Sequence, residues 1–343
     1  MRKLLNTVYV TMPDSYLARD GENVVIRVGN EEKFRLPAHN LEGIVAFGYM
    51  GASPALMQLC MERGIGLSFL TEHGRFMGRV SGTVKGNVLL RRKQYRTADN
   101  PEEAIGLARL FVAGKIANCR SVLHRAMRDH EGNIDAGMLD KAIELLGNRQ
   151  RQAFRSSDAD ELRGIEGDAA QTYFSVLDQL ILCQKEDFYI RGRNRRPPLD
   201  NVNALLSFFY TLLAHEVSSA LETVGLDPYV GFLHTDRPGR ASLALDMMEE
   251  FRPYMVDRFV LSLINRRQVN RNGFKALETG GVLMTEETRK EVLTAWQKRK
   301  QEEIQHPFLD LRIPVGLLPY AQAMLLARYM RGDIDDYPVF RIK

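Results

Sequence analysis

The first part of the chain alternates between apolar and polar positions with a period of two, and β-branched and aromatic residues dominate its apolar positions. The segments with this pattern are TVYVTM, YLARDGENVVIRV, KFRLPAHNLEGIVAFG, GIGLSFLT and RFMGRVSG. Alternation of this kind is typical of strands that bury one face. The sequence therefore predicts a mostly β domain over residues 1–95.

Two local signals refine the prediction for this domain. Asp20 and Gly21 lie between two strand-like runs and predict a tight hairpin turn. The stretch SPALMQLCMERG instead predicts a single helix, with Ser53 as its N-cap, Pro54 in its first turn and Gly64 as its C-terminal stop.

Further along the chain, the spacing changes to the 3.6-residue period of helices. The charged stretch RRKQYRTADNPEE precedes this change, and a linker is predicted over residues 96–104. Nearly every later segment has the helical period, so residues 105–343 are predicted to form an all-α domain. The expected fold class is α+β, with a small N-terminal β-domain followed by a larger α-helical domain that carries the candidate chemistry.

Composition narrows the class of protein further. The chain has 343 residues, of which 45% are hydrophobic and 26% are charged, as in ordinary globular proteins. Its three cysteines are far apart and form no C-x-x-C pair, so neither a disulfide framework nor a thiolate metal site is expected. No secretory signal is evident, and the longest apolar run, ALLSFFYTLLA, is too short to span a bilayer. We expect a cytoplasmic protein without a membrane partner.

The first candidate functional residue is Glu166, in the stretch RGIEGDAAQTYF. It follows Gly164 at the expected start of a helix, whose apolar face includes Tyr173 and Phe174. A carboxylate beside such a face has to be solvated, paired with a cation or bound to a metal. Taken alone, Glu166 is adequately explained by the favourable dipole at a helix N-terminus.

Further candidates lie in GFLHTDRPGRASLALDMMEEFRP. His234 ends an apolar run, and such a histidine is more often hydrogen-bonded in a core than a ligand. Asp246 and Glu249 are three residues apart on a predicted helix and so share one face. Glu250 and Asp257 are expected to face solvent. Carboxylates in such clusters are usually solvated, so the pair by itself is weak evidence for a site.

Together, these residues support a metal site better than each does alone. One imidazole and carboxylates from separate segments form a mixed donor set that suits manganese or magnesium, and histidine favours manganese. Arginines nearby in sequence would surround the carboxylates with positive charge, as a site that binds phosphate requires. These arginines are Arg237, Arg240 and Arg252.

A second basic feature is the arginine loop, residues 191–196. It contains Arg191, Arg193, Arg195 and Arg196. Mutual repulsion destabilises such a cluster unless a polyanion neutralises it, so the loop is a candidate for DNA binding, with a solubilising loop as the alternative. Predicted helices add Lys115 and Arg258 among other basic residues, whose spacing would follow a nucleic-acid backbone. The formal net charge of +4 favours anionic partners only weakly.

Four stretches in combination resemble a known protein family. They are RGIEGDAAQTYF, RPPLDNVNALLSFFYTLLAHEV, GLDPYVGFLHTDRPGRASLALDMMEEFRPYMVDR and IVAFGYMGASPALMQLCMERGIGLSFLTEHGRFMGRV. Through them, essentially the whole chain is similar to the CRISPR-associated spacer-acquisition integrases, the metal-dependent DNA endonucleases of the adaptation step. Within this family, the chain looks most like the I-C subtype. Each motif is weak alone, whereas their combination is specific.

The resemblance implies a β-domain followed by an α-helical catalytic domain, in agreement with the periodicity. It also implies a site for Mn²⁺ or Mg²⁺ formed by Glu166, His234 and an acidic residue just ahead of the Phe-Arg-Pro stretch. We assign this last ligand to Glu249 and treat Asp246 as a supporting catalytic carboxylate, although the sequence leaves the choice between the two open. The arginines named above, with Arg258, would bind DNA.

For activity, the resemblance implies that the 3′-hydroxyl ends of captured DNA fragments are joined to CRISPR repeat DNA by in-line transesterification. Two alternatives use the same residues. One is a stand-alone metal-dependent nuclease that acts on branched or damaged DNA. The other is a non-enzymatic nucleic-acid scaffold, in which Glu166, His234 and Glu249 are structural.

The resemblance implies an assembly as well. Members of the family form homodimers, largely through the β-domain, and a dimer of a small ferredoxin-like partner bridges two of them into a heterohexamer. A multimer is also favoured physically, because joining both ends of a fragment needs two sites at a fixed separation. In I-C systems, an additional nuclease that processes fragment ends is a further expected partner.

Overall fold

A computed structural model describes residues 6–72, 76–80, 82, 87–195, 197–278 and 280–342. The chain divides into two compact units, one of residues 1–85 with 286–302 and the other of residues 86–285 with 303–343. The first unit contains the large β-sheets and the second is mainly helical, which confirms the expected α+β class.

The first unit contains two four-stranded sheets. One has the strand order β1 (Thr7–Val10), β5 (Gly43–Phe47), β7 (Gly66–Leu70) and β8 (Phe76–Val80). The other has the order β4 (Glu31–Pro37), β3 (Asn23–Val28), β2 (Ser15–Asp20) and β6 (Gly51–Ala52). Strands β1, β5 and β7 are parallel, whereas β2, β3 and β4 are joined as antiparallel neighbours.

The local signals in this unit are confirmed. Asp20 pairs with Asn23 across a two-residue hairpin loop, in which Gly21 has a φ of 59° that favours glycine. Helix α1 (Pro54–Arg63) begins after Ser53, whose hydroxyl accepts a hydrogen bond from the amide of Leu56 at 3.2 Å. It ends at Gly64 in the left-handed conformation.

The first unit also contains a helix from far along the chain, α9 (Glu286–Gln301). Its Trp296, the only tryptophan of the sequence, is fully buried. The sequence pattern places this segment in the α-helical domain, because a helical period does not identify the element against which a helix packs.

The second unit is built from eight helices within its described residues. They are α2 (Val88–Asp99), α3 (Pro101–Asp129), α4 (Ala136–Arg155), α5 (Ala159–Leu177), α6 (Asn201–Val224), α7 (Ser242–Met248), α8 (Arg258–Asn265) and α10 (Leu318–Arg331). Residues 96–104, where the sequence predicts a linker, lie in the end of α2 and the start of α3. Only Asn100 separates these two helices, and its side chain caps α3.

Two short antiparallel strand pairs make this unit less purely helical than the sequence predicts. One pair is β9 (Phe274–Ala276) with β10 (Val282–Met284), and the other is β11 (Glu303–Gln305) with β12 (Arg312–Pro314). Strands of three residues are too short for the period-two pattern to be recognised in the sequence.

Helix α6 is the apolar centre of the second unit. Asp200 caps its N-terminus by accepting a hydrogen bond from the amide of Asn203 at 2.7 Å, and Gly225 ends it with a φ of 89°. By length and composition alone α6 could cross a membrane, but 61% of its most apolar window is buried inside the protein. Burial of this extent is expected of a core helix in a globular unit.

A buried polar network fixes the end of the chain next to α7. The amide nitrogen of the Asn118 side chain donates to the carbonyl oxygens of Glu250 and Phe340, at 2.7 and 2.9 Å. The carboxylate of Glu250 accepts from the hydroxyl of Tyr337 at 2.5 Å and from the amide of Phe340. The prediction that Glu250 faces solvent is therefore wrong, and its burial raises its pKa to about 8.

Candidate metal and DNA site

The carboxylate of Asp246, on α7, holds the loop that contains His234. One carboxylate oxygen, Oδ2, accepts hydrogen bonds from the amides of Phe232 and Leu233 at 2.6 and 2.9 Å. The other, Oδ1, accepts from the amide of His234 at 3.0 Å and lies 2.6 Å from Nδ1 of its ring. A Cβ atom on Gly231 would lie 2.7 Å from Oδ2, so glycine is required at this position.

This geometry separates the roles of the two acidic candidates. Four donors already use both oxygens of Asp246, which is about the full acceptor capacity of a carboxylate. With Nδ1 of His234 donating to Asp246, the lone pair of the ring lies on Nε2, the arrangement common among metal-binding histidines. The side chain of His234 is 22% exposed, so the ring is not fully enclosed by the protein.

Glu249 follows α7 directly and is almost fully buried among cations. Its Oε1 lies 3.1 Å from Nη2 of Arg252, and its Oε2 lies 2.7 Å from Nζ of Lys115. Oε2 receives no aligned hydrogen bond within the described residues, so the contact with Lys115 is an ion pair only. The same ammonium group also donates to Oε1 of Glu166 on α5.

The pKa shifts of Glu249 and Lys115 both favour the charged forms of these groups. Burial by itself raises the pKa of Glu249, but the charges of Arg252 and Lys115 outweigh burial and lower it below its ordinary value. Burial likewise opposes the charge of Lys115, and the two glutamates raise its pKa above the ordinary value. Glu249 and Lys115 are therefore buried charges that pair with each other, and the partly exposed Glu166 pairs with Lys115 as well.

The position of Glu166 differs from the one expected. Helix α5 begins at Ala159 and is capped by Asp158, so Glu166 lies in its third turn rather than at its start. The dipole of a helix acts mainly within the first turn. The dipole therefore does not explain Glu166, whereas its pairing with Lys115 does.

Lys115 is a residue of the candidate site for which the sequence predicts the wrong environment. We expected it on a basic surface, but it is only 7% exposed. The signal was present in the sequence, because on a helix Lys115 shares a face with Phe111, Val112 and Cys119, and all three are buried.

A π-helical segment, Arg252–Asp257, follows Glu249. Such segments are rare and occur frequently at functional sites. The guanidinium group of Arg252 lies over the ring of Tyr210, 5.0 Å from its centroid, and the hydroxyl of Tyr210 donates to Asp257 at 2.6 Å. The expectation that Asp257 faces solvent is wrong, since only 2% of its surface is exposed.

The arginine loop does not present all its side chains in the same way. Arg191 and Arg195 are exposed, whereas Arg193 points inward and donates to Asn203 and Ser207 at 2.7 and 3.0 Å. The fourth predicted DNA-binding residue of the loop, Arg196, lies outside the described residues.

The remaining predicted DNA-binding arginines lie at different depths. Arg237 is exposed on a turn closed by a 3.0 Å hydrogen bond from the amide of Arg240. Within the described part of the chain, no ion pair joins Arg237 or Arg240 to the carboxylates of the candidate site. Arg258, at the start of α8, lies over the ring of Tyr254 at 5.1 Å. Of the predicted arginines, Arg252 is the one that directly contacts a candidate metal ligand.

A cavity of about 480 Å³ adjoins the site within the second unit. Its wall includes Lys115, Glu166, Arg193, Arg252 and Asp257. Lys115 and Glu166 therefore line the same cavity as Arg193 of the arginine loop.

The donor chemistry of these residues fits a hard or borderline divalent ion. Two carboxylates and one imidazole are ligands that Mn²⁺ and Mg²⁺ accept. Oε2 of Glu249 is buried and has the ammonium group of Lys115 as its neighbour at 2.7 Å, so this atom already accommodates a cation. No three His, Cys, Asp or Glu side chains of the described residues stand close enough together to hold a metal, and Lys115 lies between Glu166 and Glu249.

Asp257 gives the stability of this unit a pH dependence. Burial raises its pKa from 3.8 to about 6, so the folded state binds the proton more tightly than the unfolded state. This contribution to stability is complete below about pH 4 and is lost as the pH rises through about 6. We expect Asp257→Asn, which keeps an acceptor for Tyr210, to gain up to about 3 kcal/mol relative to the wild type between these limits.

Chemical unfolding of both proteins at about pH 4 and about pH 7.5 measures this change. The variant should lose less stability than the wild type over this interval. An equal loss in both proteins would contradict a raised pKa for Asp257.

These features define a two-unit protein whose helical unit has two glutamates bridged by a buried lysine beside a basic cavity. Residues 8–298 match the family model described as CRISPR associated protein Cas1. The chain is 55% identical over 340 residues to the CRISPR-associated endonuclease Cas1 1 of Chlorobaculum tepidum, and the match covers 99% of each chain. The chain therefore belongs to the Cas1 family, and the resemblance inferred from the motifs is confirmed. The I-C subtype stays a prediction.

Two further relatives add to this comparison. A Cas4 exonuclease/Cas1 endonuclease fusion of Geobacter sulfurreducens is 38% identical over 341 residues, which cover 97% of this chain and 60% of the fusion. Among solved structures, a Cas1 protein from Thermotoga maritima has a TM-score of 0.82 at 26% identity, and the match covers 95% of this chain and 97% of that one.

Proposed function

We propose that this Cas1 protein is a metal-dependent DNA endonuclease and integrase, which joins the 3′-hydroxyl ends of captured DNA fragments to CRISPR repeat DNA. The observation that carries the proposal is the arrangement around Glu249. This buried carboxylate shares Lys115 with Glu166 and forms a second ion pair with Arg252. The full-length relative at 55% identity, which is named an endonuclease, supports DNA cleavage.

We assign Glu166, Nε2 of His234 and Glu249 as the groups that would hold Mn²⁺ or Mg²⁺. When bound, the ion would polarise the scissile phosphate and stabilise the charge that develops on its oxygens during in-line displacement. Asp246 is a positioning residue, since it holds the proton on Nδ1 of His234 and has no acceptor capacity left. This assignment chooses Glu249 over Asp246 as the third ligand.

The basic residues would orient the DNA. Arg252 lies beside Glu249 and would contact the reacting phosphate, and Arg237 and Arg240 would bind phosphates further out. The arginine loop and Arg258 would hold the duplex through salt-dependent contacts. Arg193 faces inward, so it would act from within the cavity rather than on the outer surface.

For assembly, we propose a homodimer formed largely through the β-domain, with two dimers bridged by a dimer of the small ferredoxin-like partner. This arrangement would place two active sites at the separation that joining both fragment ends requires. The Cas4 exonuclease/Cas1 fusion in Geobacter sulfurreducens supports an end-processing nuclease as a further partner.

A strand-joining assay tests the proposal. The purified protein, the small partner and Mn²⁺ are incubated with a supercoiled repeat plasmid and a short duplex. We expect a covalent product of duplex and plasmid when the duplex has free 3′-hydroxyls. A matched duplex with 3′-dideoxy ends should give no product, because the attacking oxygen is missing, and chelation of the metal should abolish joining.

Other results would favour the alternatives. Nicking or degradation without joining would favour a stand-alone nuclease, in which water replaces the 3′-hydroxyl at the same residues. DNA that is bound but unchanged would favour a scaffold.

A further inference from the structure

We propose that Lys115 is a built-in cation that competes with the divalent metal for Glu166 and Glu249, and that DNA relieves this competition. The inference rests on the proposed function of the site, and it adds a means of regulation. In free protein, the ammonium group would keep metal affinity low. When a DNA phosphate enters the cavity, it would offer the ammonium group another anionic partner and leave the two glutamates to the metal.

The first observation is the position of Nζ. It lies 2.7 Å from Oε2 of Glu249 and donates to Oε1 of Glu166, so it bridges carboxylates of two separate segments. These are the side chains that a metal would need. Within the described residues, no three metal-binding side chains stand close enough together to hold an ion, so the site is not preassembled.

The second observation is the balance of charge. The carboxylates of Glu166 and Glu249 are paired with the two cations Lys115 and Arg252, so their formal charges cancel. A divalent ion alone would add two positive charges in a largely buried place, which is unfavourable. A phosphodiester anion would offset part of this charge, so the metal and DNA each favour the binding of the other.

The third observation is that the side chain of Lys115 can turn toward the cavity, whose wall it shares with Arg252. Lys115 lies in the wall of the cavity of about 480 Å³, which also includes Arg193 and Arg195. A phosphate drawn there by these arginines would lie within reach of a flexible lysine side chain. The guanidinium group of Arg252 is fixed by Glu249 and by the ring of Tyr210. Lys115 is therefore the cation that yields to the metal.

Binding measurements with Mn²⁺ alone test the inference, by calorimetry or by the electron paramagnetic resonance signal of free Mn²⁺. We expect Lys115→Met to bind Mn²⁺ about tenfold more tightly than the wild type, a typical coupling between linked sites. A short duplex with 3′-dideoxy ends, which cannot react, should strengthen Mn²⁺ binding to the wild type and have little effect on the variant.

Three controls accompany this experiment. Lys115→Arg retains the cation and should resemble the wild type, and Lys141→Met removes an exposed lysine from α4 and should change nothing. If Lys115→Met does not fold, Lys115→Gln replaces it as the variant without the cation. Because removal of the cation leaves Glu166 and Glu249 to repel each other, Mn²⁺ should raise the melting temperature of the variant more than that of the wild type.

Equal or weaker Mn²⁺ binding by folded Lys115→Met would overturn the competition. If the wild type binds Mn²⁺ and Glu166→Gln does not, the proposed metal site stands and this inference alone fails. If neither the wild type nor the Lys115 variants bind Mn²⁺ in the presence of DNA, both the inference and the proposed function are overturned.

Discussion

His234→Ala is expected to lower the rate of DNA joining by roughly a thousandfold, because loss of a metal ligand removes several kcal/mol of stabilisation from the transition state. The fold should survive the change. The ring of His234 is partly exposed, and its bond to Asp246 is only one of the four that this carboxylate accepts. Three backbone amides would still hold the loop in place.

The strand-joining assay measures the rate, and Mn²⁺ binding and thermal unfolding are measured on the same sample. His124→Ala is the matched control, because His124 is an exposed histidine on α3 of the same unit. Joining at the wild-type rate by folded His234→Ala would show that the imidazole is not a ligand. Loss of the fold together with activity would instead support a structural role for His234.

The adjacent residues Glu249 and Glu250 show what the sequence could and could not predict. The motif places two glutamates ahead of Phe251, and the spacing from Asp246 favours Glu249 as the ligand but does not indicate that Glu250 is buried as well. In the folded chain, Glu249 meets Lys115 and Arg252, which lower its pKa, whereas Glu250 meets Tyr337 and its burial raises its pKa to about 8. Neighbouring carboxyl groups thus acquire opposite protonation behaviour from their surroundings.

The partners that make this distinction are remote in the sequence. Lys115 belongs to α3, and Tyr337 lies near the end of the chain. Periodicity reports which face of a helix is buried, but not which element covers it. For this reason Asp257 and Glu250 were expected to face solvent, while the shared face of Asp246 and Glu249 was predicted from local spacing alone.

Local signals succeeded where a single turn or cap decides the structure. Ser53 and Gly64 bound α1 as their types predict, since a cap depends on the three or four residues beside it. The start of α5 was misjudged because Gly164 resembles a helix boundary. The true N-cap, Asp158, lies six residues upstream, and Gly164 is inside the helix. The wrong start made the dipole a sufficient explanation of Glu166.

Asp246→Asn tests whether the orientation of His234, rather than its presence, limits the reaction. An amide has one oxygen acceptor and an NH₂ group, so it cannot accept all four hydrogen bonds that the carboxylate accepts. Without a carboxylate beside Nδ1, the ring proton can move to Nε2 and block the lone pair that would bind the metal. We expect joining to fall by about a hundredfold and Mn²⁺ binding to weaken with it.

Nitrogen chemical shifts of the His234 ring separate this effect from a general loss of stability, because they report which nitrogen carries the proton. Asp236→Asn is the matched control, since Asp236 is exposed in the same loop and should leave both joining and the tautomer unchanged. If Asp246→Asn keeps the proton on Nδ1 yet loses joining, Asp246 acts on the reaction by another route. If it keeps both, the positioning role is wrong, and the choice of Glu249 as the third ligand then rests on its contact with Lys115 and Arg252 alone.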